Sequence, residues 1–114
     1  MSAGTWVALT LAGGLGAVAR ALMTHAVNTH VGRSYPFGTL AVNLSGAFAL
    51  GLLSAAGLSA AALAICGTGF MGGYTTFSTW MYETRRATRS YAVANVVASA
   101  MLGVLAVWLG RTIA

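Results

Sequence analysis

Apolar positions along the chain fall into four long runs, separated by short polar or glycine-bearing gaps. The first extends from about Trp6 to about Val27 and the second from about Phe37 to about Ala56. The third extends from about Ala61 to about Glu83, and the fourth from about Tyr91 to about Gly110. A helix needs roughly 20 mainly apolar residues to cross the hydrocarbon core of a bilayer. The pattern therefore predicts an all-α integral membrane protein of four transmembrane helices, forming one membrane domain over residues 1–114. The gap Asn28–Pro36 is polar and holds His30, Arg33 and the only proline. Gly57–Ala60 is an uncharged turn, and Thr84–Ser90 carries Arg85, Arg86 and Arg89. Trp6, Tyr35, Tyr82 and Trp108 lie near run ends, where amphipathic rings favour the membrane–water interface.

The third run departs from an ordinary lipid-facing helix. From Gly67 to Trp80 it crowds four glycines among Thr68, Thr75, Thr76, Ser78 and Thr79. Glycine costs a helix about 1 kcal/mol relative to alanine, and Gly72 and Gly73 are adjacent. A break is expected near Gly72 to Thr76. Broken backbone at membrane depth is tolerated only where it is buried in protein or lines a cavity. The alternative is a continuous helix whose hydroxyls bond back to carbonyls one turn earlier. Gly69 and Gly73 form a G-x-x-x-G pair, and Ala12 and Gly16 a similar small pair, the spacing that lets membrane helices approach closely.

Two other runs carry polar stripes. Tyr91, Asn95 and Ser99 recur every fourth residue, and so do Thr39 and Asn43, which places each set on one helix face. Every one of these side chains can donate a hydrogen bond. An asparagine inside a span is costly unless partnered. The stripes fit either hydrogen bonding between helices or coordination of an anion as it sheds water. Phe77 and Trp80 lie three apart, and the edges of their rings carry partial positive charge.

Composition narrows the function. Apolar residues make up 58% of the chain and charged residues only 6%, against about 25% in soluble domains. Lipid is therefore one of its solvents. The six basic residues are all arginine, and Glu83 is the only acid, giving a net charge of +5. No acid lies in the first span, which counts against a small four-helix multidrug exporter, and Glu83 sits near a span end, which counts against cation transport. A third reading, an accessory subunit that only packs against a larger complex, accounts for the glycines but not for the donor stripes. The N-terminus lacks the basic segment of a signal peptide, so the first run is expected to stay as a helix.

Other motifs carry little. Gly14–Ala19 mimics a dinucleotide fingerprint without the acidic residue that should follow. Asn43-Leu44-Ser45 is a sequon inside a span, His25 and His30 have no metal-ligand partners, and Cys66 has no second cysteine to pair with. No nucleophile with a base and an acid is present, so no enzyme is expected.

Three stretches, Gly13–Arg20, Phe37–Asn43 and Gly69–Thr79, closely resemble the Fluc/CrcB fluoride channels, in the same order and over nearly the whole chain. The resemblance implies an antiparallel dimeric bundle with the third helix broken near its middle and pores along the subunit interface. It implies a structural Na+ at the dimer centre, held by backbone carbonyls that fall on Gly72 and Thr75. The pore phenylalanines fall on Phe77 and Trp80, and the polar track on Thr39, Asn43, Tyr91, Asn95 and Ser99. The arginine and glutamate of the vestibule and scaffold fall on Arg20 and Glu83. The chain departs from the family pattern at Trp80, where phenylalanine is expected, and at Asn95, where a small polar residue is expected. The implied function is passive, fluoride-selective export across a bacterial inner (plasma) membrane, relieving fluoride toxicity.

Loops one and three should share a side. They hold Arg33, Arg85, Arg86 and Arg89, against Arg111 alone on the other side. The positive-inside rule puts the arginine-rich side in the cytoplasm, whereas an antiparallel homodimer needs both orientations. The expected partners are membrane lipid, the fluoride ion and a second copy of the chain, with pairing to a paralogue as the alternative; nucleic acid is not expected.

Overall fold

Ser2 starts the first helix. Its hydroxyl accepts a hydrogen bond from the Thr5 N–H at 3.1 Å, satisfying one of the donors that every helix start leaves free. In the computed structural model, which describes residues 1–114, this helix, α1, runs Ala3–Val31 and stops at Gly32. Gly32 has φ +87°, a left-handed conformation that glycine enters without a Cβ clash. Helix α1 is thus longer at both ends than the apolar run that predicts it.

Pro36 precedes α2, Phe37–Ala55, where its missing N–H costs nothing. Gly57, with φ +72°, turns the chain back. The third span then begins under Ser59, whose hydroxyl accepts from the Ala62 N–H at 3.2 Å. We treat residues 60–74 as α3. It opens as an α-helix at Ala60–Leu63, widens to a π-helix over Ala64–Met71, and closes as α-helix at Gly72–Tyr74. Thr75–Phe77 leave the helix, with Thr75 extended at ψ 161°. Helix α4, Ser78–Arg86, resumes the span, and α5, Arg89–Ile113, crosses last. Helices α1, α2 and α5 are each long and apolar enough to cross a membrane, whereas the third crossing is divided.

The break lies a few residues beyond the glycine pair. Gly72 keeps helical backbone angles. Gly73 serves a different purpose: a Cβ there would sit 2.1 Å from the Gly13 carbonyl oxygen of α1. Gly16 answers from the other helix, where a Cβ would lie 2.1 Å from the Phe70 carbonyl oxygen. The small-residue positions therefore bring α1 and α3 into backbone contact, as expected where lipid gives little drive to hide apolar surface. The π-helical stretch was not predicted. Its wider turn, with the Gly72 N–H reaching the Gly67 carbonyl, is a distortion that recurs at functional sites.

Helices α2 and α5 form the other tight pair, meeting at Gly51 and Gly110. Arg33 and Arg86 line one hollow, so the first and third loops do share an end. Arg111 lies at the opposite end, where its guanidinium donates to Ser54 Oγ at 3.1 Å. The molecule measures 46 × 28 × 24 Å.

Candidate functional site

The break is clamped by Asn43. Asn43, on α2, donates from Nδ2 to the Thr76 carbonyl and accepts the Thr76 N–H on Oδ1, both at 2.8 Å. This two-point amide match supplies what the missing helix turn does not. Peptide groups without a partner in a membrane cost several kcal/mol each, so the fit explains both the asparagine and the position of the break. The Thr76 hydroxyl then accepts from the Thr79 N–H at 3.1 Å and starts α4. Before the break, Tyr74 is buried, and its hydroxyl shares a hydrogen bond with Ser45 Oγ at 2.8 Å.

Around this clamp lies an open groove of about 270 Å³, lined by Asn43, Thr75, Thr76, Phe77, Trp80 and Ser99, with Ala47 and Leu50. Phe77 is 70% exposed on it. Phe77 and Trp80 meet edge to face, with ring centroids 5.8 Å apart and planes at 82°. The wall thus combines amide, hydroxyl and aromatic edges with no carboxylate. Such a surface presents partial positive charge without a full charge.

A second hollow of about 340 Å³ adjoins it. Arg20, Thr24, His25, Asn28, Arg33 and Thr39 line it, together with Thr76 and Thr79. Thr76 borders both hollows. Arg20 is half-buried and donates from Nη1 to the Thr75 carbonyl at 3.4 Å, so it braces the break as well as charging this hollow.

The predicted residues therefore separate into groups. Asn43, Phe77, Trp80 and Ser99 share the groove; Thr39 and Arg20 share the basic hollow. Tyr91 and Glu83 line a third hollow beside Tyr35, Tyr82, Arg33 and Arg86. There Tyr91 meets Tyr35 edge-on at 6.1 Å. Burial raises the Tyr35 pKa above its usual value of 10. One Glu83 oxygen, Oε1, is buried without a hydrogen-bond partner. Asn95 lines none of these spaces. It is 2% exposed, and its Nδ2 donates to Thr84 Oγ1 at 2.8 Å. In the sequence Thr76 is marked only as the end of the expected break, and Thr84 is not marked at all; the role of Thr76 is visible only through its partner 33 residues away, and that of Thr84 only through Asn95.

The break also bears on a metal. Because the Thr76 N–H goes to Asn43, the Gly72 carbonyl lacks its helical partner. The Thr75 carbonyl accepts only the long Arg20 bond and keeps a lone pair. Two carbonyl oxygens suit a hard cation, which takes oxygen ligands. No group of three or more His, Cys, Asp or Glu residues stands ready for a transition metal.

The fold and the site define a multi-span helical membrane protein in which an acid-free polar groove lies beside an arginine-bearing hollow. Residues 7–111 match the family described as CrcB-like protein, Camphor Resistance (CrcB), and the chain belongs to that family. The chain is 45% identical over 113 residues to the fluoride-specific ion channel FluC 2 of Mycobacterium tuberculosis, covering 96% of this chain and 90% of that one. It is 46% identical to the FluC 2 channel of Mycolicibacterium paratuberculosis, over 96% and 93% of the two chains. A FluC channel of Solibacter usitatus is 40% identical, over 96% and 97%.

Proposed function

We propose that this protein is a fluoride-selective channel of the bacterial plasma membrane, passing the ion out of the cell down its gradient. The observation that carries this reading is the groove at the broken helix. Fluoride is small and strongly hydrated, so a pore must offer close donors in place of water and still let the ion go. The Ser99 hydroxyl, the Asn43 amide and the ring edges of Phe77 and Trp80 provide weak, successive contacts of that kind. Arg20 and Arg33 raise the local anion concentration in the adjoining hollow, and Thr76, on both hollows, marks the passage between them. Thr39 belongs to the approach, Tyr91 to the neighbouring hollow that shares Asn28 and Arg33 with it, and Asn95, buried and bonded to Thr84, lies off the path.

The groove is open on one side. A second, antiparallel copy of the chain closes it in this reading, so that the conducting path runs between subunits. Gly72 and Thr75 would then hold a sodium ion at the two-fold axis. Carbonyls from both copies would offer the oxygen ligands a hard cation takes, and the bound ion would supply fixed positive charge between the chains.

Reconstitution into liposomes tests the reading. Fluoride is expected to escape rapidly from loaded vesicles while chloride is retained. Equal leakage of both ions, or retention of both, would overturn it. Exchanging sodium for a bulky organic cation is expected to separate the paired chains on gel filtration; pairing that ignores sodium would remove the metal from the proposal.

A further inference from the structure

Trp80, on the groove, is bonded to Asn95, which lines neither the groove nor the hollows beside it. Trp80 Nε1 donates to the backbone carbonyl of Asn95 at 3.2 Å. The Asn95 side chain donates through Nδ2 to Thr84 Oγ1 at 2.8 Å. Thr84 Oγ1 donates in turn to the Trp80 carbonyl at 2.7 Å. The three bonds form a closed circuit that starts and ends on Trp80 and joins α4 to α5.

Helix α4 needs such a fastening. It has nine residues, none of them buried, and helices shorter than about 12 residues are marginal alone. A tryptophan side chain turns about only two torsions, so anchoring its N–H fixes the plane of the ring. The indole lines the groove, while its one strong donor is turned away to α5, where Asn95 is buried. The groove therefore meets the carbon edges of the ring and not the N–H. Conduction needs contacts weak enough to release the ion, and a free indole N–H in the path would hold a small anion too firmly.

We infer that Thr84 and Asn95 are positioning residues that keep the Trp80 N–H out of the conducting groove, so that the indole acts as a fixed wall and not as an anion-binding donor. This rests on the channel reading above. It is a property of this chain, because phenylalanine at position 80 would have no N–H to restrain.

Thr84→Val removes the hydroxyl at nearly constant shape and opens the circuit at two bonds. Without them the Trp80 N–H is held only by the Asn95 backbone carbonyl, and in liposomes fluoride efflux is expected to slow by roughly fivefold, the effect of weakening that one bond. Thr84→Ser, which keeps the hydroxyl, is expected to restore the rate. In a Trp80→Phe background, Thr84→Val is expected to cause no further change. Equal slowing with phenylalanine at 80, or failure of serine to rescue, would overturn the assignment. A second readout does not depend on flux. With Trp6→Phe and Trp108→Phe, Trp80 is the sole tryptophan, and under excitation selective for tryptophan Thr84→Val should lower its anisotropy; unchanged anisotropy rejects the tether. A wild-type protein that fails to conduct fluoride while its anisotropy responds would remove the channel reading and leave the tether standing.

Discussion

Asn43 shows how much one amide can decide. A carboxamide has both a donor and an acceptor, and Thr76 uses both. Aspartate is nearly isosteric, yet it can only accept once ionised. Asn43→Asp would keep the Thr76 N–H bond, oppose a carboxylate to the Thr76 carbonyl, and set a negative charge in an anion's path. Losing the charge-neutral partner of a buried polar group costs about 1–3 kcal/mol, and repulsion of the ion adds to it. The expected result is loss of fluoride efflux by more than about tenfold in a protein that still reaches the membrane. A rate equal to wild type would show that the clamp and the path are separate. In the sequence, Asn43 and Thr39 read equally as donors on one face. Their different surroundings, Thr39 at 3% exposure in the basic hollow and Asn43 at the break, depend on contacts with other helices. A face pattern alone does not contain those contacts.

The helices themselves were largely legible. Four apolar runs of bilayer length give the crossings, and the crowding of glycine and hydroxyl residues in the third marks it as irregular. What the pattern could not give was which irregularity falls where. Glycine permits both a break and a close approach, and only the presence of Gly13 opposite Gly73 decides for approach. The break falls at the end of the expected stretch, at the residue that Asn43 can reach, and the π-helical stretch has no clear sequence mark. The distinction makes a prediction. Gly73→Ala would set a methyl group 2.1 Å from a backbone oxygen of α1, where no side chain can swing aside. Overpacking of this kind costs typically 1–3 kcal/mol, so the melting temperature in detergent should fall by several degrees. Gly14→Ala, where nothing lies within 4 Å, is the control and should melt as wild type within about 0.5 kcal/mol. Equal melting of Gly73→Ala and Gly14→Ala would mean that α1 and α3 are not in backbone contact.

At the scale of the whole molecule, the charges are lopsided. Arg33, Arg85, Arg86 and Arg89 cluster at the end where α1 finishes and α5 begins, and Arg111 stands alone at the other. Insertion rules favour the crowded end inside the cell, yet an antiparallel pair requires half of the copies to insert the other way. Reporter fusions at the C-terminus, in cells without a second gene of this family, are expected to show both locations. A single location would exclude the antiparallel homodimer and leave pairing with an oppositely oriented paralogue. The dimensions of α1 carry a further consequence. Its 29 residues span about 44 Å at 1.5 Å per residue, longer than the ~30 Å of hydrocarbon. The basic hollow follows that helix from Arg20 to Asn28, about 12 Å of its length. Water standing in a recess of that depth would thin the insulating layer from within. The electrical cost of bringing a bare halide into oil rises with the thickness of oil to be crossed, and here a good part of that thickness is removed before the ion gives up its last water.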